Sequence, residues 1–203
     1  MKKTKRELAF TKANKARKRV IIAKDVLEQI RIGRYEPTKG TYIAVDDEFQ
    51  EFKITDRIQK AIKKTKTCRV CALGSVFMSG IGIGNDLKFS DNEYSDPDLF
   101  GYSNLGEVGD NDDFMRESLS KYFDSQQLED IERAFEYWPM KGVSGSYFPY
   151  FDMYGGGCGW EQYDDTSRLA IIMINIIKNQ GTFVFDPPYA GEYDHLIEKY
   201  IGR

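Results

Sequence analysis

The chain of 203 residues carries 29 Lys+Arg against 32 Asp+Glu, a formal net charge of −3, and 41% of its residues are hydrophobic. Those totals exclude a histone-like or ribosomal basic protein and a highly charged disordered tail, and they leave enough apolar side chains for a sizeable core in one domain over residues 1–203. The near-neutral total conceals a split: residues 1–69 hold 20 Lys+Arg and 9 Asp+Glu, a net of +11, whereas residues 70–203 hold 9 and 23, a net of −14.

In chain order, Met1-Lys2-Lys3-Thr4-Lys5-Arg6 is basic, and no apolar stretch of signal-peptide length follows it before the cluster Lys15 to Arg19, so export is not expected. Residues 1–17 read as a loosely ordered basic lead. Val20, Ile21, Ala23, Val26, Leu27 and Ile30 then fall near helical spacing, which predicts an amphipathic helix over 18–32 that Gly33 stops. A turn over Glu36-Pro37-Thr38-Lys39-Gly40 leads to a short strand over Gly40 to Val45. A second basic helix fits Asp56 to Lys66, with Ile58, Ala61 and Ile62 facing inward.

Cys68 to Met78 is small and apolar on nearly every side, which suits a central helix with a buried strand as the alternative, and Gly80, Gly82 and Gly84 mark its exit. The uncharged run Val70 to Gly84 is shorter than the ~18 apolar residues that a membrane span needs. Asp86 to Asp113 is irregular and acidic, nine acids against Lys88 alone. Helices follow over Phe114 to Phe123 and from Ser125, with a Ser125 hydroxyl as the cap of the second and Pro139 as its end. Nine aromatics crowd into Tyr137 to Tyr163, together with Gly155-Gly156-Gly157 and Gly159. Asp165-Thr166-Ser167 opens a strongly striped helix through Leu169, Ile172, Met173, Ile176 and Ile177, with Gly181 placed to cap it. Thr182 to Phe185 reads as a strand, and Tyr193 to Ile201 as a last short helix. The expected fold is mainly α (α+β): a compact helical domain with a minor sheet of two or three short strands.

The motifs that carry chemistry elsewhere are incomplete here. Cys68-Arg69-Val70-Cys71 has the spacing of zinc and redox sites, but Cys158 and His195, the remaining candidates for a four-ligand set, are not closely paired, so buried structural thiols are expected and no metal is assigned. Three cysteines without an export signal point to reduced thiols. Gly80-Ile81-Gly82-Ile83-Gly84-Asn85 lacks both the third glycine of the dinucleotide fingerprint and the lysine of a phosphate loop. His195, the single histidine, is expected on the surface, and no residue is assigned as catalytic and no cofactor is expected.

The acidic interval has three readings: calcium, which the loop pattern does not support; imitation of DNA phosphates by spaced carboxylates; and a solvated segment or one folded against the basic half. The basic half, through Lys12, Lys15, Arg17, Lys18, Arg19, Lys60, Lys63, Lys64, Lys66 and Arg69, could attract nucleic acid through phosphate contacts, without any recognised nucleic-acid-binding signature. The aromatic interval reads as a protein-binding surface or as a satellite core, and Lys141 as its only base argues against base stacking.

The segments Lys18-Arg19-Val20-Ile21-Ile22-Ala23-Lys24-Asp25-Val26-Leu27, Gly40-Thr41-Tyr42, Cys68-Arg69-Val70-Cys71-Ala72-Leu73-Gly74 and Arg168-Leu169-Ala170-Ile171-Ile172-Met173-Ile174-Asn175-Ile176-Ile177 resemble small phage- and prophage-encoded proteins of no assigned function. The resemblance implies work inside an infected bacterial cell, where such proteins often bind and inhibit host machinery. The expected function is therefore a non-enzymatic, phage-encoded binding protein in the host cytoplasm, engaging or inhibiting a bacterial protein of the defence or nucleic-acid-processing machinery. Its partner-binding residues are expected to be Asp91, Glu93, Asp96, Asp98, Asp110, Asp112, Asp113, Tyr150, Tyr154 and Trp160. A nucleic-acid binder using the basic third and an enzyme with a carboxylate-based or zinc site are the alternatives; no membrane partner is expected.

Overall fold

The computed structural model describes residues 4–40, 42–45, 58–64, 66–84, 109–136, 160, 163–185 and 191–203, and it is mainly helical with a small mixed sheet. Helix α1 (Lys5–Lys12) opens on a reciprocal cap. The Glu7 N–H donates to the Thr4 hydroxyl at 3.2 Å while the Thr4 N–H donates to the Glu7 carboxylate at 2.7 Å. Asn14 caps α2 (Lys15–Arg31) by accepting the Arg17 N–H at 2.9 Å. Residues 5–12 and 15–17 of the basic lead are thus helical, and the buried Phe10, edge-on to Tyr122 with ring centres 5.5 Å apart, anchors α1. Along α2, Ile22, Ala23, Val26, Leu27 and Ile30 are buried at the spacing expected of an amphipathic helix.

The sheet has strand order β1-β3-β2. β1 (Tyr35–Pro37) runs parallel to β3 (Cys68–Val70), and β2 (Ile43–Val45) pairs antiparallel with it. β1 occupies residues expected to begin a turn. Pro37 is tolerated there because β1 is an edge strand, where a missing N–H costs nothing in the ladder. The apolar segment 68–78 divides between both of its readings. Cys68–Val70 form the central strand, and α4 (Ala72–Gly84) starts after Cys71. Gly80 and Gly82 lie inside that helix, and Gly84 is its last residue.

A short helix α3 (Ile58–Lys64) buries Ile62 against α4. Helices α5 (Gly109–Ser120) and α6 (Ser125–Glu136) meet at a tight turn, where the Asp124 carboxylate, not the expected Ser125 hydroxyl, accepts the Gln127 N–H at 2.8 Å. Helix α7 (Asp165–Lys178) is capped by Asp164, which accepts the Ser167 N–H at 2.7 Å, and α8 (Asp194–Ile201) closes the chain.

Two helices form the centre. Residues 72–81 of α4 and 168–176 of α7 are buried without interruption. Around α4 pack α1, α2, α3, α5 and α6; around α7 pack α2, α6, α8 and β1. Close approach to α4 is bought by one glycine above all: a Cβ on Gly74 would lie 1.7 Å from the Tyr42 carbonyl oxygen, which also accepts the Cys71 N–H at 3.2 Å. The end of α7 shows a second steric demand. Gln180 (φ 54°) holds the left-handed position, and its N–H and that of Gly181 reach back to Ile177 and Ile176 at 3.2 and 2.7 Å. The glycine sits one residue later because a Cβ on Gly181 (φ 102°) would meet the Ala16 carbonyl oxygen at 2.3 Å.

Thr182–Phe185, expected as a strand, belongs to no sheet. Asn175 supplies what a neighbouring strand would: its amide donates to the Val184 carbonyl at 3.0 Å and its oxygen accepts the Val184 N–H at 2.9 Å. Among the described residues, no helix is long and apolar enough to cross a membrane.

Candidate binding surface

The chain leaves α6 at Glu136 and re-enters the described structure at Trp160, and one side chain holds both ends of the interval between. Arg168 lies one turn into α7 and is 3% exposed. Its Nε donates to the Trp160 carbonyl at 2.9 Å. One terminal nitrogen donates to the Phe135 carbonyl at 3.2 Å and to the Asp165 carboxylate at 2.9 Å, and the other to the Tyr163 carbonyl at 2.6 Å. Only a guanidinium offers five donors in a planar fork, which is why arginine suits this junction. It gives donors to main-chain carbonyls at the edge of the core, where acceptors are shielded from water.

A second knot ties the same region to the turn after β1. The Gly40 N–H donates to Glu136 at 2.8 Å, the Lys39 N–H to Asp165 at 3.2 Å and the Tyr42 hydroxyl to Glu132 at 2.8 Å, while Arg116 pairs with Glu132. Burial pushes the Glu136 carboxyl above the ordinary carboxylate range; the charges of Glu132 and Asp165 push the same way, and the Gly40 N–H opposes them. These three carboxylates converge, but each is spent on the turn or on a neighbouring cation.

Of the residues expected to meet a partner, Asp91, Glu93, Asp96, Asp98, Tyr150 and Tyr154 lie outside the described residues. Asp110, Asp112 and Asp113 fall within the first half of α5. Trp160 is corrected: its indole is fully buried, with ring centres 6.2 Å from Phe183 and 6.3 Å from Phe185, so it anchors the returning chain instead of facing a partner. Its Nε1–H has no acceptor among the described residues, so the indole itself is held by apolar contact while its carbonyl is held by Arg168. Of the interval 137–163, this residue therefore belongs to the satellite-core reading.

The remaining motifs resolve into structure. Cys68 and Cys71 are both buried free thiols; burial drives the Cys71 thiol far up, out of reach of ionisation at neutral pH, and its sulfur accepts the Gly74 N–H at 3.4 Å. His195 is exposed on α8, Cys158 lies outside the described residues, and no group of three or more His, Cys, Asp or Glu among the described residues could hold a metal ion. A cleft of about 210 Å³ between α1, α2, α3 and α4 is lined by Arg6, Asp25, Gln29, Arg34, Tyr35 and Lys63, among others. Its groups answer one another. Arg6 pairs with the buried Asp25 at 2.6 Å, the Gln29 amide donates to Asp25 at 3.1 Å, and Lys63 pairs with Glu7 at 2.8 Å. Tyr35, also buried, shares a hydrogen bond of 3.2 Å with Ser79.

Sequence reasoning missed Arg168, Glu132, Glu136 and the cleft. A lone arginine at the start of an otherwise apolar helix was the one available signal, since such a position favours a charge only when buried acceptors await it. No protein-family model, curated protein or solved structure matches this chain.

Proposed function

We propose that this chain is a non-enzymatic binding protein, of the kind phages and prophages encode, that engages or inhibits a bacterial host protein of the defence or nucleic-acid-processing machinery. The observation that supports this reading is the Arg168 junction, which fixes the departure and return of the aromatic-rich interval 137–159 on the buried core. Residues presented from such fixed points lose less freedom on binding, so more of their contact energy appears as affinity. In this reading Tyr150 and Tyr154 supply apolar anchors, and Asp91, Glu93, Asp96, Asp98, Asp110, Asp112 and Asp113 supply the charged part of the surface. The self-satisfied state of the converging carboxylates is consistent with binding rather than catalysis.

Affinity capture from bacterial lysate tests it with three proteins: the natural chain, a Tyr150→Ser/Tyr154→Ser variant, and a variant with Asp91, Glu93, Asp96 and Asp98 changed to Lys. The expected result is a host protein recovered in stoichiometric amount by the natural chain and lost from at least one variant that melts at the same temperature. A recovered set that stays bound to both variants overturns the reading.

A further inference from the structure

We infer that the edge formed by α1 and the first half of α2 is a separate surface that binds the phosphodiester backbone of nucleic acid without reading its sequence. Up to Gly84 the described residues include 16 Lys+Arg and 4 Asp+Glu. Three of those four acids are consumed locally: Glu7 by Lys63, Asp25 by Arg6 and Glu28 by Arg31. Some of the bases are structural. Arg19 donates to the carbonyls of Gly181 and Tyr122, Arg34 to Gln29 and the Ile62 carbonyl, and the Lys18 ammonium lies over the rings of Phe10 and Tyr122.

On α1 and α2 this leaves Lys5, Lys12, Lys15, Arg17 and Lys24. All five are exposed, and among the described residues none of them has an ion-pair partner. Their placement is regular. Lys5 and Lys12 share one face of α1 about 10.5 Å apart, Arg17 and Lys24 share one face of α2 at the same interval, and Lys12 and Lys15 flank the break between the helices. Arg17 and Lys24 lie on the outer face of α2 and Lys15 beside the break on its other side, so the cations surround the α1–α2 junction, without an ion-pair partner among the described residues, in a molecule whose total charge is −3.

The cluster suits a polyanion better than a bilayer or a folded partner. A helix that lies in a membrane surface needs a broad apolar face, whereas Phe10 is 2% exposed and Leu8 is the one large hydrophobic side chain that α1 exposes. A protein interface is carried by buried aromatic or aliphatic anchors at its centre, and this cluster has none. Phosphate contacts need only cations at reach, and counterion release provides the driving force.

Fluorescence anisotropy with the full chain and a labelled 20-base-pair duplex, titrated from 50 to 200 mM KCl, tests the inference. Five phosphate contacts give a slope of log K against log salt of about −4.5, so affinity falls about 500-fold over that range. Duplexes of unrelated sequence should bind alike. The Lys12→Ala/Lys15→Ala/Arg17→Ala variant should flatten the slope by about 2.7, one increment of about 0.9 per contact, without a change in melting temperature. The control Lys121→Ala should leave the slope unchanged. Absence of binding at 50 mM KCl, a slope indifferent to the triple variant, or binding to phosphatidylserine vesicles without binding to DNA would each overturn the inference. Loss of this activity leaves lysate capture through residues 91–98 and 150–154 unaffected, so the two proposals fail separately.

Discussion

Replacing Arg168 with Met keeps most of the side-chain volume and removes every donor from the junction between α6 and α7. The carbonyls of Phe135, Trp160 and Tyr163 then lose donors now at 2.6–3.2 Å, while the Trp160 carbonyl keeps the Tyr163 N–H at 3.4 Å. At about 1 kcal/mol for each lost hydrogen bond, the loss is about 3 kcal/mol, with about 5 kcal/mol as the ceiling for breaking a buried charged network. Asp165 is one-third exposed, so its released charge adds little. Against a typical total stability of about 5–15 kcal/mol the change is large, and with a urea dependence of about 2–3 kcal/mol per molar it moves the unfolding midpoint down by about 1–1.5 M. In a Trp138→Phe background the emission of Trp160 should also shift to the red as its carbonyl is released. The matched control is Arg133→Met, which breaks an exposed pair with Glu129 and should cost under about 0.5 kcal/mol. If the two variants unfold at the same urea concentration, the reasoning about the junction is wrong.

Further expectations follow from the close approaches and the titrating groups. Gly74→Ala drives a Cβ to 1.7 Å from the Tyr42 carbonyl oxygen and should cost upwards of about 3 kcal/mol, whereas Gly80→Ala, whose nearest neighbours lie at 3.5 Å, should be neutral or gain up to about 1 kcal/mol of helix propensity; thermal melting separates them. Gln180→Gly should stabilise by about 0.5–1 kcal/mol by relieving the left-handed backbone, while Gly181→Ala destabilises; equal melting temperatures for the two would contradict the assignment of the α7 terminus. The Lys63 ammonium and the Thr4 N–H hold the Glu7 carboxyl down at about 2, below its ordinary 4.5. A depressed carboxyl stabilises the fold above pH 4.5 and loses that contribution as pH falls from 4.5 toward 2, so Glu7→Gln should flatten the acid limb of the stability profile in that window. Glu136 has the opposite sign: its raised value means that protonation favours the fold, so Glu136→Gln should stabilise most at neutral pH and least in acid.

Helices were the legible part of this sequence. Where a row such as Val26–Ile30 or Leu169–Ile176 repeats at helical spacing, local pattern and tertiary burial agree, and the structure follows it. Legibility failed where a long-range partner decided the outcome. Glu36-Pro37 looks like the start of a turn until Cys68–Val70 arrives as its parallel neighbour, and Thr182–Phe185 looks like a strand until the Asn175 side chain takes both polar groups of Val184. Cys68 to Met78 contained a strand and a helix in one apolar run because burial on all sides erases periodicity. The candidate site was legible only as composition. The aromatic residues of 137–163 announce themselves in the sequence, but the arginine that holds the chain on either side of 137–159 reaches 33 residues back to Phe135, and no local rule encodes that distance.

The Arg168 junction also separates what holds the ends of an interval from what fills it. Because that arginine stands outside residues 137–159 and grips the carbonyls of Phe135, Trp160 and Tyr163, a change in the length or content of the interval leaves those contacts in place. The chain-entropy cost of doubling such a segment is only about 0.6 kcal/mol. The same logic makes the site a point of grafting: a foreign peptide inserted between Phe135 and Trp160 inherits two fixed ends.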